Sequence, residues 1–136
     1  MDNETIESFA KYRLNKAKET LETARMIFND GKDFTSANNR AYYAIFYAIR
    51  AVLAIEEIDF KRHKDVLAYF NKEYVNKEKF PKKIGRKISQ AQRVREDCDY
   101  DDDYEPSLEK TEQQINTAQE LIELVETYIN DYYNKN

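Results

Sequence analysis

Apolar residues recur every three or four positions through five stretches of the chain, a rhythm that predicts helices rather than strands. In the first stretch Ala10, Leu14, Ala17, Leu21, Ala24 and Phe28 share a face. A helix is predicted from about Glu4 or Ser8 to Asn29, with Gly31 where it stops. The second stretch, from about Thr35 to Glu57, aligns Ala37, Ala41, Ala44, Ala48 and Ala51, while Tyr42, Ile45, Phe46, Ile49, Val52 and Leu53 cover much of the remainder. A helix apolar on so many sides belongs at the centre of a bundle. After a short connection from Asp59 to Arg62, His63 opens a third helix through about Val75, its apolar face being Val66, Leu67, Phe70 and Tyr74. Asn76 to Phe80 reads as a loop. Pro81 suits the first turn of a fourth helix, which Ile84, Ile88, Ala91 and Arg95 extend until an acidic run weakens the pattern. Gly85 inside it costs roughly 1 kcal/mol relative to Ala. The last helix starts near Pro106 or Ser107 and reaches about Tyr133, with Ile115, Ala118, Ile122, Val125, Ile129 and Tyr132 in rhythm. Short connections make neighbours antiparallel, so the expected fold is all-α: a four- to five-helix antiparallel bundle.

Composition agrees with one domain over residues 1–136, since a chain of 136 residues can bury a self-sufficient core. Two Gly and two Pro leave few places to turn, and eleven Tyr with seven Phe supply large core side chains despite 35% charged residues. A lone Cys98 and a lone His63 can make neither an internal disulfide nor a Cys/His zinc site, so no metal or cofactor is expected. The opening MDNETIESFAKYRL lacks a basic start followed by an apolar run, and no stretch approaches the roughly 18 apolar residues of a membrane span. A soluble, cytoplasmic protein without a membrane partner is expected.

The net charge of −4 conceals a local asymmetry. Lys77 to Arg95 carries eight basic side chains against Glu78 alone, whereas Glu96 to Glu105 carries seven acids and no base. The acidic run lacks the Asp-x-Asp-x-Asp-Gly spacing of a calcium-binding loop and reads as a solvated cap or a contact for a basic partner. On the central helix Arg40, Tyr43, Tyr47 and Arg50 form a polar-aromatic stripe about 110° from the alanine line. It is either a hydrogen-bonded network inside the bundle or the lining of a cleft. On the last helix Tyr128, Tyr132 and Tyr133 lie beside the main stripe, an apolar surplus that suggests a dimer face.

The string Ala37-Asn38-Asn39-Arg40-Ala41-Tyr42-Tyr43-Ala44-Ile45-Phe46-Tyr47-Ala48 closely resembles the NRAYYAxFxA signature of one large subfamily of HEPN proteins. His63 follows at the start of the next helix, with Lys64, Val66 and Phe70 in the expected order. Then comes an Arg-x-x-x-Asp-Tyr string, Arg95 to Tyr100. The resemblance spans about residues 8 to 130. It implies an all-α fold that often dimerises and, in many members, metal-independent RNA cleavage by a toxin paired with a minimal nucleotidyltransferase antitoxin.

Active members place an Arg, four to six further residues and then a His near the end of the corresponding helix, and dimerisation brings two such pairs into one cleft. Here Arg95 holds the Arg position, and after four intervening residues stands Tyr100 in place of His. Cleaving RNA through its own 2′-hydroxyl needs a group that moves a proton near neutral pH. Imidazole titrates at about 6.5 and a phenol at about 10, so Tyr100 is better suited to donate a hydrogen bond than to act as a base. Arg95 can bind phosphate or offset its developing charge, and any imidazole base must be His63.

The resemblance therefore implies a homodimer that binds RNA or a nucleotide in a cleft, with Arg95, Tyr100 and His63 as candidate catalytic residues and endoribonuclease activity in prospect. Arg40, Lys82, Lys83, Arg86, Lys87, Arg93 and Arg95 are the candidate contacts to RNA or nucleotide. The basic residues of the fourth helix lie one or two turns from Arg95, where they could track a backbone leading to it. The ordinary alternatives are a solvated helix face for the basic segment, a salt bridge to neighbouring acids for Arg95 and a local hydrogen bond for His63. Tyr100 and Tyr104 are candidate acceptors for nucleotidylation by the partner. A non-catalytic module that binds a nucleotide or a protein is the alternative for the whole chain.

Overall fold

The computed structural model describes residues 2–134; Met1, Lys135 and Asn136, which the single-domain expectation takes in, lie outside the described residues. Five α-helices and one π-helical turn form the fold, with no strand among the described residues. The first helix, α1 (Asn3–Asp30), starts where the Asp2 carboxylate accepts the Thr5 N–H at 2.8 Å. It stops at Gly31, whose φ of 74° lets its N–H turn back to the Phe28 carbonyl. α2 (Phe34–Ile55) is capped by Asp33, and α5 (Leu108–Tyr133) by Ser107. Between them stand α3 (His63–Phe70) and α4 (Lys82–Tyr100).

α2 is the centre of the bundle: it packs against α1, α3, α4 and α5, and most of its 22 residues are buried. Ala37, Ala41, Ala44, Ala48 and Ala51 are fully enclosed, as are Ala10, Ala17 and Ala24 of α1. Small side chains on both helices let the two backbones approach, and α1 and α2 accordingly make the most extensive helix pair. On other sides of α2, Ile45, Ile49 and Leu53 have no exposed surface, each burial contributing about 1.5–3 kcal/mol. Asn38 is also buried and donates to the Thr111 hydroxyl of α5 at 3.3 Å. Gln114 of α5 donates to the Ala91 carbonyl of α4 at 3.1 Å, so two polar contacts tie α5 to its neighbours inside an apolar core.

The third stretch departs from the expected single helix to Val75. After Phe70 the chain widens into a π-helical turn, Asn71–Val75, in which the Asn76 N–H reaches the Asn71 carbonyl at 2.8 Å. The wider turn accommodates one more residue per turn, so Tyr74 and Val75 both face inward. Tyr74 stacks on Phe70 and its hydroxyl donates to Glu56 at the end of α2, while burial and that carboxylate push its pKa up. Val75 meets Gly85. A Cβ on Gly85 would lie 2.7 Å from Val75 Cγ1, so the glycine that looked like a weak point of α4 is where the π turn presses against it.

The tyrosines of the last helix are only partly surplus. Tyr128 packs on Phe80 at 5.2 Å and Tyr74 at 6.0 Å between ring centroids, and Tyr133 rests against the core. Of the three, Tyr132 remains exposed. Among the described residues no helix is long and apolar enough to cross a membrane.

Replacing Gly85 by Ala sets a propensity gain of about 1 kcal/mol against an overpacking cost of about 1–3 kcal/mol. Val75 is β-branched and cannot easily turn its Cγ1 aside, so the clash wins. Urea denaturation should show Gly85→Ala to be destabilising in the wild-type background and stabilising in a Val75→Ala background. Stabilisation in both backgrounds would mean that the contact is not tight, and destabilisation in both would assign the clash to Asn71 Oδ1, 3.1 Å from the same point.

Candidate active site

Three elements converge on the one side of α2 that the other helices leave half-covered. Arg40, Tyr43, Tyr47 and Arg50 are all half-buried along it. They form a half-open wall along α2, and cations sit on the rings: Arg40 lies 4.9 Å from the Tyr43 centroid and Lys16 of α1 4.8 Å from that of Tyr47. α4 brings Arg95 to the same wall, because Ile84, Ile88 and Ala91 turn that face of the helix inward and Arg95 continues it one turn later.

Arg95 is held by aromatic groups. Its Nη2 donates to the Tyr43 hydroxyl at 3.2 Å, and its guanidinium carbon lies 4.8 Å from the Tyr42 centroid and 5.4 Å from that of Tyr43. Asp99, one turn along α4, stands 3.5 Å away. The salt bridge is therefore present, but it is only one of several contacts. Arg95 Nε is buried without a hydrogen-bond partner. Burial pushes the Tyr42 phenol up to about 12, with Arg95 pulling the other way, so Tyr42 stays protonated as an aromatic support.

His63 arrives from the first turn of α3. Its ring lies over Phe46 at 4.0 Å between centroids, tilted by 31°, and meets Tyr43 edge-on at 5.7 Å. Tyr43 thus touches both Arg95 and the chain's one imidazole. Burial lowers the His63 pKa from 6.5, and the positive charges of Arg95 and Arg50 lower it further. The ring is neutral at pH 7, able to accept a proton. Arg50 is anchored by Asp59 at 2.7 Å, and Arg13 of α1 reaches the same carboxylate at 3.7 Å and the Arg50 carbonyl at 3.0 Å. Burial tends to raise the Asp59 pKa, but the hydrogen bond from Arg50 and the two guanidinium charges outweigh it and hold the carboxylate ionised.

The other candidates are placed elsewhere. At about 100° per residue, Arg93 points roughly 200° around α4 from Arg95, and Tyr100 roughly 140°. Lys82, Lys83, Arg86 and Arg93 are exposed away from the cluster, and Lys87 reaches across to Glu120 of α5 at 2.6 Å. Tyr100 is 87% exposed, whereas Tyr104 is half-buried with its hydroxyl 3.4 Å from Lys110 Nζ. Burial and the nearby Asp99 and Asp97 push the Cys98 thiol up, which disfavours the reactive thiolate. Sequence reasoning singled out the α2 stripe, Arg95 and His63 but missed Arg13, Asp59 and the linking role of Tyr43. A basic residue on the flank of α1 and an acid in the α2–α3 connection carry no periodic signal; only the fold joins them.

A single histidine makes the electrostatics directly measurable. Proton NMR titration of the His63 ring should give a midpoint below 6.5, and Arg95→Ala should raise it toward that value by removing a like charge. Because the unfolded chain then takes up the His63 proton first, this group's contribution to stability is complete above pH 6.5 and is lost as pH falls through the lower folded-state value. An Arg95→Ala midpoint equal to wild type would separate the two side chains.

The pattern of the HEPN domain matches residues 10–128. A protein of Thermotoga maritima named “UPF0332 protein” is 31% identical over 125 residues, covering 92% of this chain and 94% of that one. Two proteins of Methanocaldococcus jannaschii are also similar. “Putative toxin MJ0142” is 28% identical over 85% of this chain and 78% of its own, and “Putative toxin MJ0605” 29% identical over 90% of each. The motif-bearing cluster on α2, α3 and α4 lies within the matched span, and the chain belongs to the HEPN domain family.

Proposed function

We infer that this chain is the toxin of a pair completed by a minimal nucleotidyltransferase antitoxin, acting in the cytoplasm as a homodimer that binds RNA around Arg95. The observation that carries the reading is the shared contact of Arg95 and His63 with Tyr43. The family and the names of the two archaeal relatives support the toxin assignment. The bound phosphate meets the guanidinium that Tyr43 fixes and the neutral imidazole packed against the same ring. His63 accepts the proton of the 2′-hydroxyl, the 2′-oxygen attacks the adjacent phosphorus, and the 5′-oxygen of the next nucleotide leaves and takes up a proton. A 2′,3′-cyclic phosphate remains. Arg95 offsets the charge that builds on the non-bridging oxygens, and Tyr43 holds the guanidinium in place. This route ends a single phosphodiester bond without a metal ion.

Homodimer formation places two Arg95 side chains at one cleft, as the family motif implies. Tyr100, the more exposed of the two candidate acceptors, suits control by the antitoxin: its phenol oxygen attacks the α-phosphorus of a nucleoside triphosphate, releases pyrophosphate and keeps the nucleotide. The second reading is a non-catalytic nucleotide- or protein-binding module, favoured by the stacking of His63 on Phe46, which covers one face of its ring.

Mixed RNA incubated with the protein in chelator should be cleaved, and His63→Ala or Arg95→Ala should each reduce the rate by about 10²- to 10⁴-fold. Tyr100→His should change it little, because position 100 faces away from Arg95. RNA binding without cleavage in wild type would establish the binding module instead. Light scattering at micromolar concentration should give twice the 16.2 kDa chain mass, and a value of 16.2 kDa would rule out the homodimer.

A further inference from the structure

The basic residues of α4 divide between two sides of the helix, and the side away from Arg95 builds a groove of its own. Lys82, Arg86 and Arg93 line it together with Asn71 from the π turn and Ser89 and Gln90 from α4, around a volume of about 440 Å³. It continues into a smaller cavity of about 130 Å³ that shares Asn71, Val75, Gly85 and Ser89. The floor depends on Gly85: with no Cβ there, the π turn comes close enough to α4 to form the second wall. Lys82, Arg86 and Arg93, four and seven residues apart, fall within about 40° of one line along the helix, at axial steps of roughly 6 and 10.5 Å.

We propose that this groove, separate from the Arg95 cluster, holds the sugar-phosphate backbone of an RNA strand. The three cations make no salt bridge with any described residue, whereas Lys77 pairs with Glu73 and Lys87 with Glu120. Free cations in a line on a protein of net charge −4 match a ligand with regularly spaced negative charges. The hydroxyl of Ser89 and the amides of Asn71 and Gln90 stand between them, neutral groups that bond to phosphate oxygens and sugar hydroxyls. A rival occupant is the acidic segment Glu96 to Glu105 of a second copy. It matches the charge but makes no use of the interleaved neutral donors.

The proposal rests on the reading of the chain as an RNA binder, and the experiment keeps the two apart. Fluorescence anisotropy of a labelled single-stranded oligoribonucleotide is measured over a salt series with the full chain. Substituting Lys82→Gln, Arg86→Gln and Arg93→Gln together should lower the slope of log affinity against log salt by about 2, at roughly 0.7 per phosphate contact on a single strand. Arg93→Gln alone should lower it by about 0.7, and Lys83→Gln should leave it unchanged. With Arg95→Ala as the starting protein, the same decrement of about 2 should recur, because the groove acts apart from that cluster. Circular dichroism identical to wild type shows that these exposed changes leave the fold intact. No RNA binding by wild type overturns both readings. Wild-type binding with an unchanged slope in the triple variant overturns the groove alone. A triple variant that keeps the slope but loses its dimer in light scattering assigns the groove to a second copy and overturns the proposal.

Discussion

The structure depends on enclosing α2. A helix whose surface is apolar almost all round cannot sit at the edge of a bundle, because each uncovered Ile or Leu forgoes about 1.5–3 kcal/mol. Long α1 and α5 cover two of its sides, and α3 and α4 cover a third. Beyond the first turn, what remains is the strip that carries Arg40, Tyr43, Tyr47 and Arg50, polar enough to be left half-covered. The location of the candidate site therefore follows from the packing. It lies where α2 stays open, and the residues that reach it are those the flanking helices turn inward.

Much of this was legible in the amino-acid order because the helices are long and the apolar rhythm regular. The starts of all five follow the sequence pattern to within a few residues, although α3 ends at Phe70 rather than near Val75, and the alanine line lies in the close contact that α1 and α2 make. The π turn was not legible. An extra residue in one turn leaves Val66, Leu67, Phe70 and Tyr74 in helical rhythm, and its signature lies in Val75 and Gly85 meeting across ten positions of sequence. The tyrosines of α5 misled for a related reason, since Tyr128 has the spacing of a surface residue but is covered by Phe80, which sits in a loop.

The site was legible in its members and not in its grouping. A motif read along α4 joins Arg95 to Tyr100, yet five residues on a helix turn a side chain about 140° away. The contacts instead run between helices, from Arg95 to Tyr43 of α2 and from Tyr43 to His63 of α3. Charge adds to this. Arg50 and Arg13 share the Asp59 carboxylate, and the buried Nε atoms of Arg50 and Arg95 lack partners. An unpaired buried donor costs about 1–3 kcal/mol. Burial first, and then the charges of Arg95 and Arg50, keep the His63 imidazole neutral, so on the proposed reading the charges that would attract a phosphate also help hold His63 in its proton-accepting form.

α4 separates two electrostatic tasks. Its inward face carries one guanidinium fixed by aromatic rings, where position matters more than charge. Its outward face carries Lys82, Arg86 and Arg93 in the open, where charge acts over the roughly 8 Å screening length of physiological salt and position matters less. Free exposed cations chiefly govern how fast a polyanion is captured and how strongly salt opposes it, whereas a half-buried, oriented Arg governs what happens to one phosphate once held. Because the two sets point about 200° apart, changing one leaves the geometry of the other intact. On the proposed reading, capture and chemistry can therefore vary independently, and the acidic segment from Glu96 to Glu105, which follows Arg95 directly in sequence, limits how far along α4 the positive surface extends.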